Sequence, residues 1–151
     1  MPRRKPLPEL LAEGSIRLDC RASDRDDAIR QAGEALVEAG AVDPTYVDAM
    51  LERERSVSTY VGESVAFPHA TLAEADAVQR DAIVVLRFPD GVDWDGNRVV
   101  VVIGLAALGR GHIGLLSRLA AVLLEPGKAE VIRSAVTPAA VYEALGSDPD
   151  S

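Results

Sequence analysis

"DAIVVLRFPDGVDWDGNRVVVVIGLAA", residues 81–107, decides how this chain folds. It holds two runs of β-branched and apolar residues, Asp81 to Phe88 and Arg98 to Leu105, separated by the turn signals Pro89 to Gly91 and Asp95 to Gly96. Such runs read as strands, and the glycines supply the left-handed backbone that tight turns need. The two strands are expected to pair antiparallel. The apolar stretch Val99 to Gly109 is bounded by Arg98 and Arg110. It falls well short of the ~20 residues that cross a bilayer, so it reads as a buried strand.

Upstream, "SIRLDC" forms a short alternating strand, followed by a helix in which Ser23 is the expected cap and Ile29, Ala32 and Leu36 share one face. Gly40 closes it. A second helix opens with Asp43 as the expected N-cap and Pro44 at the first position, buries Val47, Met50 and Leu51, and carries Arg53 and Arg55 in its last turn. "SVAF" is a further strand, and Thr71 lies three residues before Glu74, the spacing of a capping box. Downstream, "HIGLLSRLAAVLL" has helical periodicity, a short helix is expected around Ala129 to Ile132, and Thr137-Pro138 starts a last helix that Gly146 stops. Strands alternate with helices without a strict repeat. The expected fold class is therefore α/β: a single-domain sandwich with a mixed, mostly parallel β-sheet flanked by α-helices. The domain is expected to span residues 1–146, with 147–151 as a disordered tail.

The chain has 151 residues, of which 48% are hydrophobic, enough for one core. Its net charge of -8 excludes an ordinary nucleic-acid binder, whose phosphate contacts demand clustered Lys and Arg; the one such cluster is Arg3-Arg4-Lys5. The N-terminal residues fit no secretory signal, so a cytoplasmic protein without membrane insertion is expected. Cys20 is the only cysteine and has no second thiol for a disulfide, redox or metal pair.

Within "VGESVAFPHA", residues 61–70, Pro68 stands directly before His69, one of two histidines in the chain. A histidine between a strand end and a helix start is exposed to solvent and close to free backbone N–H groups, as a phosphate-accepting nucleophile requires. Pro68 fixes its own φ and biases Phe67 toward extended backbone. Arg53 and His112 sit at helix ends that can share a sheet edge with His69, where a guanidinium binds phosphoryl oxygens in pairs and a second imidazole donates one more bond. The plain alternatives are a surface His69, an Arg53 paired with Glu52 or Glu54, and a solvent-facing His112.

The stretch Met50 to Thr71, "MLERERSVSTYVGESVAFPHAT", resembles the active-site signature of the mannitol/fructose-type EIIA subunits of the bacterial sugar phosphotransferase system. The similarity continues from Val84 to Ala120, where "GVDW" and the distal "H-x-x-L-L" point toward the mannitol branch. The resemblance implies a phosphocarrier in which His69 is phosphorylated at Nε2, Arg53 binds the phosphoryl group and His112 is the second active-site histidine. It implies phospho-HPr as donor, a cysteine of an EIIB domain as acceptor, and no metal or other cofactor. The EIIB and membrane-spanning EIIC modules are expected on separate chains. Two positions depart from the family pattern: Ala70 where glycine usually follows the histidine, and Gly111 where an acidic residue commonly precedes the second one. A regulatory EIIA-like binding module of the nitrogen-system type is the alternative. A metal hydrolase using His69, His112 and Glu63 or Asp93 lacks the H-x-x-x-H or H-E-x-x-H spacing, and "GES" lacks the second glycine of a serine-hydrolase elbow.

Overall fold

The computed structural model describes residues 6–11, 14–70, 76–108 and 111–146, without the side chains of 111 and 112. Its centre is one sheet of β1 (Ile16–Arg17), β2 (Tyr60–Gly62), β3 (Val65–Ala66), β4 (Ala82–Trp94) and β5 (Asn97–Ala106), in the spatial order β1-β4-β5-β3-β2. β4 and β5 carry the longest ladder, and successive residues alternate between two buried layers. Val84, Leu86 and Val102 face one layer, whereas Ile83, Val85 and Ile103 face the other. That double burial explains why these strands read as continuous apolar runs.

The first layer is closed by α1 (Arg25–Glu38) and α2 (Thr45–Ser56), which contribute Ile29, Leu36, Tyr46 and Met50. The second is closed by α3 (Gly111–Leu124), α4 (Lys128–Arg133) and α5 (Pro138–Leu145), with Leu7 and Leu10 from a short 3-10 turn, Leu7–Leu10. Among the described residues no helix is long and apolar enough to cross a membrane.

The sheet is mixed, as expected, but it is not mostly parallel. β1–β4 and β3–β5 are parallel, while β4–β5 and β2–β3 are antiparallel. Tight hairpins enforce the second kind: Asp95 and Gly96 both take positive φ (55° and 93°), as do Glu63 and Ser64 (56° and 61°). This is the backbone of two-residue turns that match strand twist. The turn expected at Pro89 to Gly91 is instead a bulge inside β4: the register shifts between Arg87 and Val92, with Gly91 at φ 79°.

Helix ends also differ by one residue from expectation. Asp24, not Ser23, caps α1 by accepting the Asp27 N–H at 2.8 Å. Pro44 stands at the cap of α2 and no side chain bonds there; the Asp43 carboxylate instead accepts from Gln79 at 3.3 Å. Gly40, at φ 75°, follows α1, and Thr137 and Gly146 bound α5 as expected. The capping box from Thr71 to Glu74, the Arg3-Arg4-Lys5 cluster and the tail at 147–151 lie outside the described residues.

Candidate functional site

β3 delivers its chain end to a cavity of ≈ 360 Å³ whose lining includes Phe67 and His69. One wall is Arg53 of α2 with the segment Ser58 to Val61; another is Leu116, Ser117 and Ala120 of α3. Two of the three expected site residues, Arg53 and His69, therefore meet in one pocket. His112 lies in the first turn of α3, four residues before Leu116, and its side chain lies outside the described residues.

His69 is not exposed to solvent as expected from its place at a strand end: it is 7% exposed, lining the pocket between these walls. Its Nδ1 lies 2.7 Å from the Phe67 carbonyl oxygen. A carbonyl oxygen only accepts, so Nδ1 carries a proton, and in the neutral ring the lone pair lies on Nε2. The acceptor is the backbone two residues earlier, in the stretch that Pro68 stiffens.

Backbone hydrogen bonds hold that stretch from two neighbouring segments. The Phe67 N–H donates to the Thr59 carbonyl at 3.0 Å, and the Pro68 carbonyl accepts from the Leu105 N–H at 3.2 Å. Beyond the histidine, the Ala70 N–H donates to the Tyr46 hydroxyl at 3.2 Å, and that hydroxyl donates to the Leu105 carbonyl at 2.8 Å. Burial pushes the Tyr46 phenol above its ordinary pKa, with a smaller opposing effect from the Ala70 bond. The Ala70 N–H is thus turned away from any anion role. Its methyl group packs into the core layer under α1 and α2.

Arg53 is half-buried and donates from Nη1 to the Val57 carbonyl at 2.6 Å, which folds the guanidinium back over the end of its own helix. The pairing with Glu52 or Glu54 that would have made it a plain surface charge does not form. Glu52 bonds Arg55 at 3.1 Å, and Glu54 turns inward, 2% exposed. There Glu54 Oε1 accepts from the Thr59 N–H at 3.0 Å and the Trp94 indole N–H at 2.7 Å, while Oε2 accepts the Thr59 hydroxyl at 2.6 Å. Sequence reading missed Tyr46, Glu54 and Thr59. A usable signal existed for Glu54: it lies four residues after Met50, so helical geometry sets a carboxylate on the buried stripe.

The carboxylates named for a metal site have other partners. Glu63 bonds Arg133 at 3.1 Å, and Asp93 accepts the Gly96 N–H at 3.0 Å. Cys20 is half-buried and donates weakly to the Arg17 carbonyl at 3.5 Å, outside the pocket.

Comparison with known proteins identifies the scaffold that carries this pocket. Residues 9–147 match the family described as "Phosphoenolpyruvate-dependent sugar phosphotransferase system, EIIA 2". The mannitol-specific phosphotransferase enzyme IIA component of Halalkalibacterium halodurans is 40% identical over 137 residues, covering 91% of this chain and 94% of that one. Among solved structures, the complex of enzyme IIAMTL with phosphorylated enzyme IIBMTL from Escherichia coli matches with a TM-score of 0.84 and 35% identity, over 90% of this chain and 98% of that one. The crystal structure of IIA mannitol from Escherichia coli matches at 0.82 and 36%, over 89% and 97%. A histidine and an arginine brought into one pocket, on a scaffold matched almost end to end, lead to one assignment: the chain belongs to the EIIA family of the phosphoenolpyruvate-dependent sugar phosphotransferase system.

Proposed function

We propose that this chain is a cytoplasmic phosphocarrier of mannitol type, accepting a phosphoryl group from phospho-HPr on His69 Nε2 and passing it to the cysteine of an EIIB domain. The observation that carries the reading is the Nδ1 to Phe67 bond of 2.7 Å, because it leaves Nε2 as the nucleophilic nitrogen in a pocket shared with Arg53. In the accepting step the Nε2 lone pair attacks phosphorus, a P–N bond forms, and the P–N bond to the donor histidine breaks with its electron pair returning to that ring. Positive charge grows on the His69 ring as this happens, so the Nδ1–H to carbonyl bond strengthens toward the transition state. Arg53 supplies charge to the phosphoryl oxygens, the main need of a loose, metaphosphate-like transition state. In the second step a thiolate attacks the same phosphorus and the electron pair returns to Nε2. His112 is proposed as a second donor to the phosphoryl group.

The mannitol assignment and the EIIB partner rest on the relatives named above, and those names also leave the nitrogen-system regulatory reading with less support. The test is intact mass after incubation with Enzyme I, HPr and phosphoenolpyruvate. One acid-labile phosphate is expected on the wild type and none on His69→Ala, with loss of the phosphate when EIIB is added. No phosphate on the wild type beside charged HPr would overturn the carrier role. Phosphate that EIIB cannot remove would favour the regulatory module.

A further inference from the structure

We propose that Glu54, a buried carboxylate that touches neither nucleophile nor phosphoryl group, is the shared positioning residue of the site, setting His69 and Arg53 through the segment 57–59. The inference rests on the carrier reading above and adds a residue to it.

Glu54 is an ionisable group sealed in the protein, and burying one unpaired is costly. Here it receives three donors, two from Thr59 and one from Trp94, and no cation is among them. Two of the three go to one residue of the pocket wall, so the carboxylate acts as a clamp on Thr59. From Thr59 the structure leads to both functional groups. The Thr59 carbonyl takes the Phe67 N–H at 3.0 Å, and the Phe67 carbonyl takes the His69 ring at 2.7 Å. In the other direction, two residues before Thr59, the Val57 carbonyl holds Arg53 at 2.6 Å. One anchor therefore sets the distance between the nucleophile and the group that receives its phosphoryl oxygens.

The relay is mechanical. The Thr59 N–H and C=O belong to different peptide planes, as do those of Phe67, so the carboxylate's charge is not conducted along conjugated bonds to the imidazole. What passes is position, and catalysis is sensitive to position: a displacement near 1 Å costs up to about a hundredfold in rate.

This gives a charge-against-shape test. In Glu54→Gln the amide oxygen can occupy the Oε1 place and keep the Thr59 N–H and Trp94 bonds, while the amide N–H donates to a rotated Thr59 hydroxyl. In Glu54→Ala all three donors lose their acceptor. The measurements are single-turnover transfer from phospho-HPr and 15N NMR of the His69 ring, which reads the tautomer without any phosphate. Glu54→Gln is expected within about threefold of wild type with the Nδ1–H tautomer retained, and Glu54→Ala slower by roughly ten- to a hundredfold with a mixed tautomer and an unchanged KM for HPr. Trp94→Phe removes a donor but leaves both Thr59 bonds, so it is expected to lower stability and keep rate and tautomer. If Glu54→Ala does not fold, Thr59→Val, which breaks one arm of the clamp, takes its place with an expected slowing of about five- to tenfold.

A folded Glu54→Ala, or its Thr59→Val substitute, with wild-type rate and tautomer would overturn the proposal. So would a Glu54→Gln as slow as Glu54→Ala. If the wild type accepts no phosphate at all, the carrier reading fails, and the tautomer measurements still decide whether Glu54 positions His69.

Discussion

Removing one oxygen atom from Tyr46 should destabilise the whole protein and loosen the chain beyond His69. The hydroxyl is the partner of two backbone groups that no strand serves: the Ala70 N–H at 3.2 Å and the Leu105 carbonyl at 2.8 Å, at a residue 3% exposed. Leu105 turns its N–H to Pro68, so its carbonyl points to the same side, past the end of β3, where the Tyr46 hydroxyl meets it. Tyr46→Phe preserves the ring and its packing but leaves both groups without this partner. A buried group so orphaned costs about 1–3 kcal/mol, giving roughly 2–4 kcal/mol for the pair after partial relaxation. In a chain of this size that corresponds to a melting temperature lower by roughly 5–15 °C.

Urea and thermal denaturation at pH 7 measure it directly. A second axis separates the hydroxyl from generic damage. Burial raises the Tyr46 pKa above its ordinary 10.0, so the folded state holds this proton more tightly than the unfolded chain does. The stability contributed by the neutral phenol is therefore complete below pH 10 and is lost as pH climbs through the folded-state value. The gap between wild type and Tyr46→Phe should stay constant across the neutral range and shrink above about pH 10. A loss under about 0.5 kcal/mol would mean that water or a backbone shift replaces both bonds, and the reasoning from this bridge would fail.

Arg53→Ala is expected to slow phosphoryl transfer by roughly two to three orders of magnitude, the loss of one transition-state donor, and a rapid-quench rate within about threefold of wild type would remove it from that role. Gly104→Val should destabilise by about 1–3 kcal/mol in urea titration, because even a bare Cβ at Gly104 would stand 3.0 Å from Val84 and 3.1 Å from Ala32, where α1 lies directly on the sheet. Cys20 should alkylate more slowly than a free thiol at pH 7.5, since burial raises its pKa against the smaller opposing pull of Arg17, and Cys20→Ser should leave transfer from phospho-HPr unchanged.

What could be read from the chain, and what could not, divides by sequence separation. β4 and β5 were legible because their turn is local, and the helices because their periodicity and most of their caps lie within a few residues. The bulge at Gly91 was not, since a Pro-Asp-Gly sequence serves a turn or a bulge and the choice is made by where pairing resumes, at Val92 with Val99. The site residues His69 and Arg53 were named from spacing and resemblance, and they do share a pocket. The groups that hold them were hidden: Tyr46 reaches across 59 residues to Leu105, and Glu54 across 40 to Trp94. In the run of four charges from Glu52 to Arg55, the two glutamates look alike as text. Only the buried face of α2 distinguishes a carboxylate bound for the interior from one that stays in water.

The acceptor that orients His69 is a main-chain carbonyl, which every amino acid at position 67 would supply. No single substitution can delete it, and between acid and alkaline conditions it neither gains nor loses a proton. The imidazole's preference is therefore shielded from mutation at its own contact, and selection on it acts at a distance. The positions where a sequence change can disturb the ring are those that place the carbonyl: Thr59, which holds Phe67, and behind it Glu54, with Tyr46 and Leu105 on the other flank. A mutational scan of this protein should find its most intolerant polar positions clustered around the histidine's supports, several of them out of reach of any substrate.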